Sequence, residues 1–281
     1  MAPEFRHPCT GAGLARMDGV VQGCVLKRMF GFTKRRRKRL ASQPFPEAWQ
    51  AILRRNVPLF TRLPQADQQE LQSHVLVFLG EKRFVGCAGL EITDEVRVTI
   101  AANACLLLLH RSTDYYPGLS SILVYPRAYT APARDWLPNG TVVEGVDVRQ
   151  GESWRDGTVV LSWDSVRRIA ADPRTCDNVV LHEFAHQLDS SWGKGDSTPV
   201  LQDRSSFLAW ARVLQKEYEA LRARVSRRGR TLLDDYGATN PAEFFAVATE
   251  CFFQRPHEML AEHPDLYRQL QAFYQQDPAS L

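Results

Sequence analysis

Apolar residues along the chain group into helix-spaced and strand-like runs, and their order predicts the architecture. Residues 45–55 read as a short helix, and Leu63-Pro64-Gln65-Ala66-Asp67 opens a second. In that second helix Leu71, Val75, Phe78 and Leu79 fall at helical spacing. Residues 94–110 form a third candidate, apolar and Ala-rich, as a buried helix would be. Three strand-like segments follow, at 121–129, 141–149 and 158–163. Each is rich in Val, Leu or Tyr, with Pro and Gly between them. The remainder is helical in pattern: 178–188, 205–225, 241–254 and 265–274. Strands followed by a run of helices predict an α+β domain, and no internal repeat is found.

Composition agrees with this. Of 281 residues, 44% are hydrophobic and 24% charged, near the globular average, which excludes wholesale disorder and a collagen-like repeat. No apolar run reaches the roughly 18 residues that a membrane span needs. The charge is uneven. Residues 1–40 hold ten basic and two acidic residues, a net of +8 that leaves −5 on residues 41–281. A mildly acidic body argues against direct nucleic-acid binding by it. Lys34–Arg39 is an unbroken run of cations; such runs self-repel, so residues 1–40 are expected to be a basic, disordered tail. Contact of that tail with nucleic acid or with an anionic membrane surface is a further reading, and steep salt dependence would mark nucleic-acid binding. The six cysteines form no C-x-x-C pair. They read as reduced thiols, and the expected compartment is the cytoplasm.

The chemistry lies in His182-Glu183-Phe184-Ala185-His186. On a helix, positions i and i+4 share a face, so both imidazoles reach one ion. Neutral imidazole nitrogen is a good zinc ligand, and Glu183 sits beside the water that such an ion activates. Chance alone gives this pattern in roughly one chain of this composition per hundred. Val179-Val180-Leu181 just before it makes the opposite helix face apolar.

Zinc hydrolases generally take three protein ligands. Downstream, Glu243 and Glu250 compete for the third place, and being seven apart they share a helix face. Glu243 has a rival role: with Asn240 as N-cap and Pro241 at the first helical position, it occupies the capping-box position. His257 and His263 are further rivals that look like loop residues beside prolines. Spacing leaves the choice open.

Tyr236-Gly237 followed by Asn240-Pro241-Ala242-Glu243-Phe244-Phe245-Ala246-Val247 resembles the second signature of the Mlc titration factor A (MtfA) zinc peptidases. In that family H-E-x-x-H is followed by Tyr and then by Glu seven positions on. The peptidase domain of anthrax lethal factor is similar at these points. Leu123-Val124-Tyr125-Pro126, Val160-Leu161-Ser162-Trp163, Leu188-Asp189, Phe252-Phe253…Pro256 and Phe273-Tyr274-Gln275-Gln276-Asp277-Pro278 extend the resemblance over about 45–278.

The resemblance implies a zincin-like α+β domain over 41–281. It would comprise a short mixed sheet, an active-site helix and, from about 191, a mostly helical part. It implies one zinc per chain on His182, His186 and Glu243, with Glu183 as general base and Tyr236 stabilising the transition state. Position 247 is Val where thermolysin carries an Asp, so a carboxylate behind a ligand histidine must come from elsewhere, with Asp189 and Glu250 as candidates. Segment 158–163 is expected to be an edge strand whose Val160, Leu161 and Ser162 align an extended peptide substrate. The resemblance also implies an Mlc-like DNA-binding repressor as partner. The alternative to a zinc peptidase is a non-catalytic protein that titrates such a repressor.

Overall fold

The structure is a computed structural model that describes residues 33–136, 142–149, 151–154, 157–171, 176–190 and 204–281. The chain separates into two units, residues 1–40 and 41–281. Residues 33–41 form helix α1, which contains the cation run. The expected disordered tail therefore does not extend through it. Lys and Arg are good helix formers, and no Gly or Pro interrupts this stretch. Residues 1–32 of the expected tail lie outside the described residues.

The second unit is α+β. Helices α2 (Glu47–Asn56), α3 (Gln65–Glu81) and α4 (Asp94–Leu106) surround strand β1 (Arg83–Gly86) in the sequence. Then come β2 (Ser121–Tyr125), β3 (Tyr129–Trp136), β4 (Val142–Arg149), β5 (Gly151–Trp154) and β6 (Thr158–Ser162). Helices α5 (Trp163–Ala171), α6 (Val179–Ser190), α7 (Arg204–Ser226), α8 (Pro241–Gln254), α9 (Pro256–Glu262) and α10 (Pro264–Tyr274) complete the unit. Among the described residues no helix is long and apolar enough to cross a membrane.

One four-stranded mixed sheet has the order β1-β2-β6-β5. β1, β2 and β6 run parallel, with Leu123 opposite Val85 on one side and Val160 on the other. β5 closes the sheet antiparallel to β6, with Gly151 opposite Leu161. β3 and β4 form a separate antiparallel pair. This corrects the expectation for 158–163. β6 is internal, its backbone paired on both sides, and Val160, Leu161 and Ser162 are buried. A continuous apolar run is the mark of a strand covered on both faces, not of an edge. Among the described residues the outermost strand beside β6 is β5, whose four residues carry too little apolar pattern to be read as a strand.

Helix α4 begins where Thr93 Oγ1 accepts from Val96 N, and Asp94 and Glu95 favour its positive end. It stops at Leu106, short of the expected 110. The next residues turn, and His110 sits at φ +61° with its N–H donating to Glu70 Oε1 of α3 at 2.8 Å. Phe78 of α3, Tyr116 and Phe184 of α6 pack ring to ring, at 5.7 Å for Phe78–Phe184 and 4.8 Å for Tyr116–Phe184. A second aromatic cluster joins α8 to α10: Phe252 stacks with Tyr274, and Phe245 meets Phe273 edge to face. Each such ring, fully buried, contributes about 1.5–3 kcal/mol. These two clusters hold α6 and α8 in place.

Candidate metal centre

Asn178 starts α6. Its Oδ1 accepts from Leu181 N at 3.1 Å, and its own amide donates to Asn103 Oδ1 on α4. Val180, Leu181, Phe184 and Ala185 turn into the core. The 3.6-residue repeat then places His182 and His186 on the opposite face, where their rings meet at 4.8 Å. Helix α8 starts with equal definition. Asn240 Oδ1 accepts from Ala242 N and Glu243 N, and Pro241 fills the first turn. Glu243 shares that first turn, but its carboxylate points to the histidines.

Glu243 Oε2 lies 2.9 Å from His182 Nε2 and 3.1 Å from His186 Nε2, and the two nitrogens are 3.2 Å apart. Three donor atoms so arranged suit a single small cation. Ligands of a tetrahedral zinc with bonds of 2.0–2.1 Å stand about 3.3–3.4 Å apart. Burial opposes charge on His182, yet its hydrogen bonds to Glu243 and Glu250 outweigh burial and hold its pKa up to about 10. Burial works against the Glu243 carboxylate too, but both histidines hold it down to about 2. The pocket stabilises positive charge.

The two carboxylates that compete in the sequence take different places on the same ring. Glu243 faces Nε2 of His182, and Glu250, buried one heptad along α8, meets Nδ1 at 2.7 Å. A hydrogen bond from Nδ1 to a carboxylate fixes the ring orientation and leaves Nε2 as the coordinating atom. Glu250 Oε2 also accepts from Asn178 N at 2.5 Å, so it ties the start of α6 to α8. Of the two candidates for the carboxylate behind a ligand, Glu250 occupies the position, and Val247 packs against Gly237 instead. His263 pairs with Glu217 of α7 at 2.8 Å, and exposed His257 stands in the first turn of α9. Neither approaches this centre.

Glu183 is buried, and desolvation pushes its carboxyl up to about 7, against the pull of His182 and His186. A carboxyl in that range exchanges protons near neutrality. Tyr236 is 54% exposed on a 3-10 turn, Asp235–Ala238, capped by Asp234, and its ring centre is 6.0 Å from that of His182. Gly237 lets the turn seat against α8, for a Cβ there would touch Val247 at 3.3 Å. Two contributors were missed in the sequence. Asn178 is legible as a helix start, but its bond to Glu250 is not. Gly151 of β5, which lies against Glu183, leaves no local signal beyond a glycine in a strand.

Comparison with known proteins gives the chain's family and relatives. An uncharacterized protein of Synechocystis sp. is 40% identical over 245 residues, 86% of this chain and 89% of the relative. Mlc titration factor A of Pectobacterium atrosepticum is 33% identical over 236 residues, 83% of this chain and 87% of the relative. Mlc titration factor A of Yersinia pestis is 31% identical over 227 residues, 79% and 83% of the two chains. The family described as glucose-regulated metallo-peptidase M90 matches residues 32–275, and the chain belongs to that family.

Proposed function

We propose that the chain is a zinc-dependent peptidase acting on peptide bonds. The observation that carries this reading is the convergence of His182 Nε2, His186 Nε2 and Glu243 Oε2 on one point beside a buried carboxyl, Glu183. Zinc held there supplies Lewis acidity toward the scissile carbonyl and lowers the pKa of water toward about 7. Glu183 takes the proton of the attacking water and passes it to the leaving amine. Tyr236, whose ring centre lies 6.0 Å from that of His182, donates its hydroxyl to the developing oxyanion. Glu250 holds the His182 ring. A peptide lying along the outer side of β5 would present its carbonyl near Glu183, with main-chain hydrogen bonds in place of strong side-chain selectivity.

The test is cleavage of an unbiased peptide mixture, read by mass spectrometry, with zinc content measured on each sample. Wild type should cut. Glu183→Gln should bind zinc and not cut, and full activity in this variant would sink the assignment. Tyr236→Phe should keep zinc and lose about 10²–10³-fold in kcat, the usual cost of one oxyanion donor.

A second reading is favoured by the names of two relatives, Mlc titration factor A. In it the chain binds a DNA-binding repressor of the Mlc kind. Glu183 separates the readings, since binding should survive Glu183→Gln and catalysis should not.

A further inference from the structure

Strand β5 opens at Gly151, and this residue faces α6. A Cβ there would lie 2.6 Å from Glu183 Oε1, 2.8 Å from Glu183 Cγ and 2.7 Å from Val179 Cγ2. Ordinary carbon contacts are at about 3.5–4.0 Å, so a single methyl group overlaps all three atoms. Val179 and Glu183 are four residues apart and form the face of α6 that meets the strand. Gly151 does not have a left-handed backbone, unlike Gly89 and Gly157. What its missing side chain supplies is room, and the room is filled by the Glu183 carboxylate.

We infer that Gly151 is a positioning residue for Glu183, letting β5 lie so close to α6 that the strand backbone walls the carboxylate into place. The consequence of adding a methyl follows from which neighbour can yield. β5 is held by its ladder to β6 through Leu161. Val179 is β-branched in the first turn of a helix, where its rotamer is strongly restricted. Glu183 is unbranched, so its carboxylate is displaced, by about 1 Å to restore a normal contact. A shift of about 1 Å in a reacting group commonly costs about 10²-fold in rate. None of the three candidate ligands is among the three atoms nearest that methyl.

The role of the carboxylate rests on the peptidase reading; the contact does not, so the test carries both. Gly151→Ala, Glu183→Ala and the double variant are compared with wild type for zinc content, thermal midpoint and peptide turnover. Gly151→Ala should bind one zinc, melt below wild type, and lose about 10²-fold in kcat with KM changed less than about 3-fold. Gly151→Ala should cost less midpoint in the Glu183→Ala background than in wild type, because two of the three atoms in conflict are gone and only Val179 Cγ2 remains. If Gly151→Ala proves insoluble, recovery of soluble protein in the double variant supports the inference equally. Wild-type kcat in Gly151→Ala, or an undiminished loss of midpoint in the Glu183→Ala background, would overturn the inference. So would insolubility of both Gly151 variants. A wild type that cuts nothing would overturn the peptidase reading, while coupled midpoints would still uphold Gly151 as the residue that places Glu183.

Discussion

Glu250 links the candidate metal centre to the fold. It is buried and makes two hydrogen bonds, to His182 Nδ1 and to Asn178 N. Glu250→Gln keeps the shape and one acceptor but removes the charge behind the imidazole. Zinc affinity should fall about 10–100-fold, the usual effect of losing such a partner, with the fold intact. Competition against a chelator measures this, and unchanged affinity would remove Glu250 from the site. Residue-level reading of the sequence reached His182, Glu183 and His186 because their chemistry is local to one helical turn. It left Glu243 and Glu250 as rivals, since seven residues of spacing put both on one face. The structure gives each a side of the same ring, and nothing in α8 alone says which side.

At the scale of elements, α6 works because its two faces are unlike. Phe184 buries fully against Phe78 and Tyr116 on the face away from the histidines. Phe184→Ala should destabilise the zinc-loaded protein by about 3–5 kcal/mol. Urea unfolding checks this, and a loss below about 1 kcal/mol would mean that the aromatic cluster does not hold the helix. The helices α6, α8 and α10 were legible from periodicity, and the start of α8 also from its cap, Asn240 followed by Pro241. The strands were less legible. β6 reads as a strand from its Val-Val-Leu run, but the edge position belongs to β5. A four-residue strand beginning with Gly has no period long enough to recognise, and pairing partners are chosen across the sheet.

For the whole molecule, His110 is a fastening between distant parts of the chain. Its Nε2 meets Asp67 Oδ1 of α3 at 3.0 Å, and its Nδ1 meets the Gln275 carbonyl near the C-terminus at 2.8 Å. Partial burial lowers its pKa, but the Asp67 hydrogen bond, the Gln275 carbonyl and the Asp67 and Glu70 charges outweigh this and raise it above 6.5. A folded pKa above the unfolded one stabilises the protein fully below about 6.5, and that contribution is lost as pH rises through the folded value. The thermal midpoint of wild type should therefore exceed that of His110→Gln most at pH 5.5, and the gap should narrow by pH 9. A gap that widens with pH would reverse the sign.

What the sequence determined by itself was whatever a few neighbouring residues encode. That includes the helical H-E-x-x-H face, the capped start of α8, the apolar helices and the order of strands before helices that makes the chain α+β. Tertiary structure decided the rest: Glu243 at the nitrogens facing the centre, Glu250 behind His182, β5 at the edge, and Gly151 against Glu183. The reason is physical. The Glu243, Glu250 and Gly151 contacts join groups brought together by packing, some 30 to 70 residues apart in the chain. Periodicity reports which face a residue shares, and only the packed core decides what that face meets.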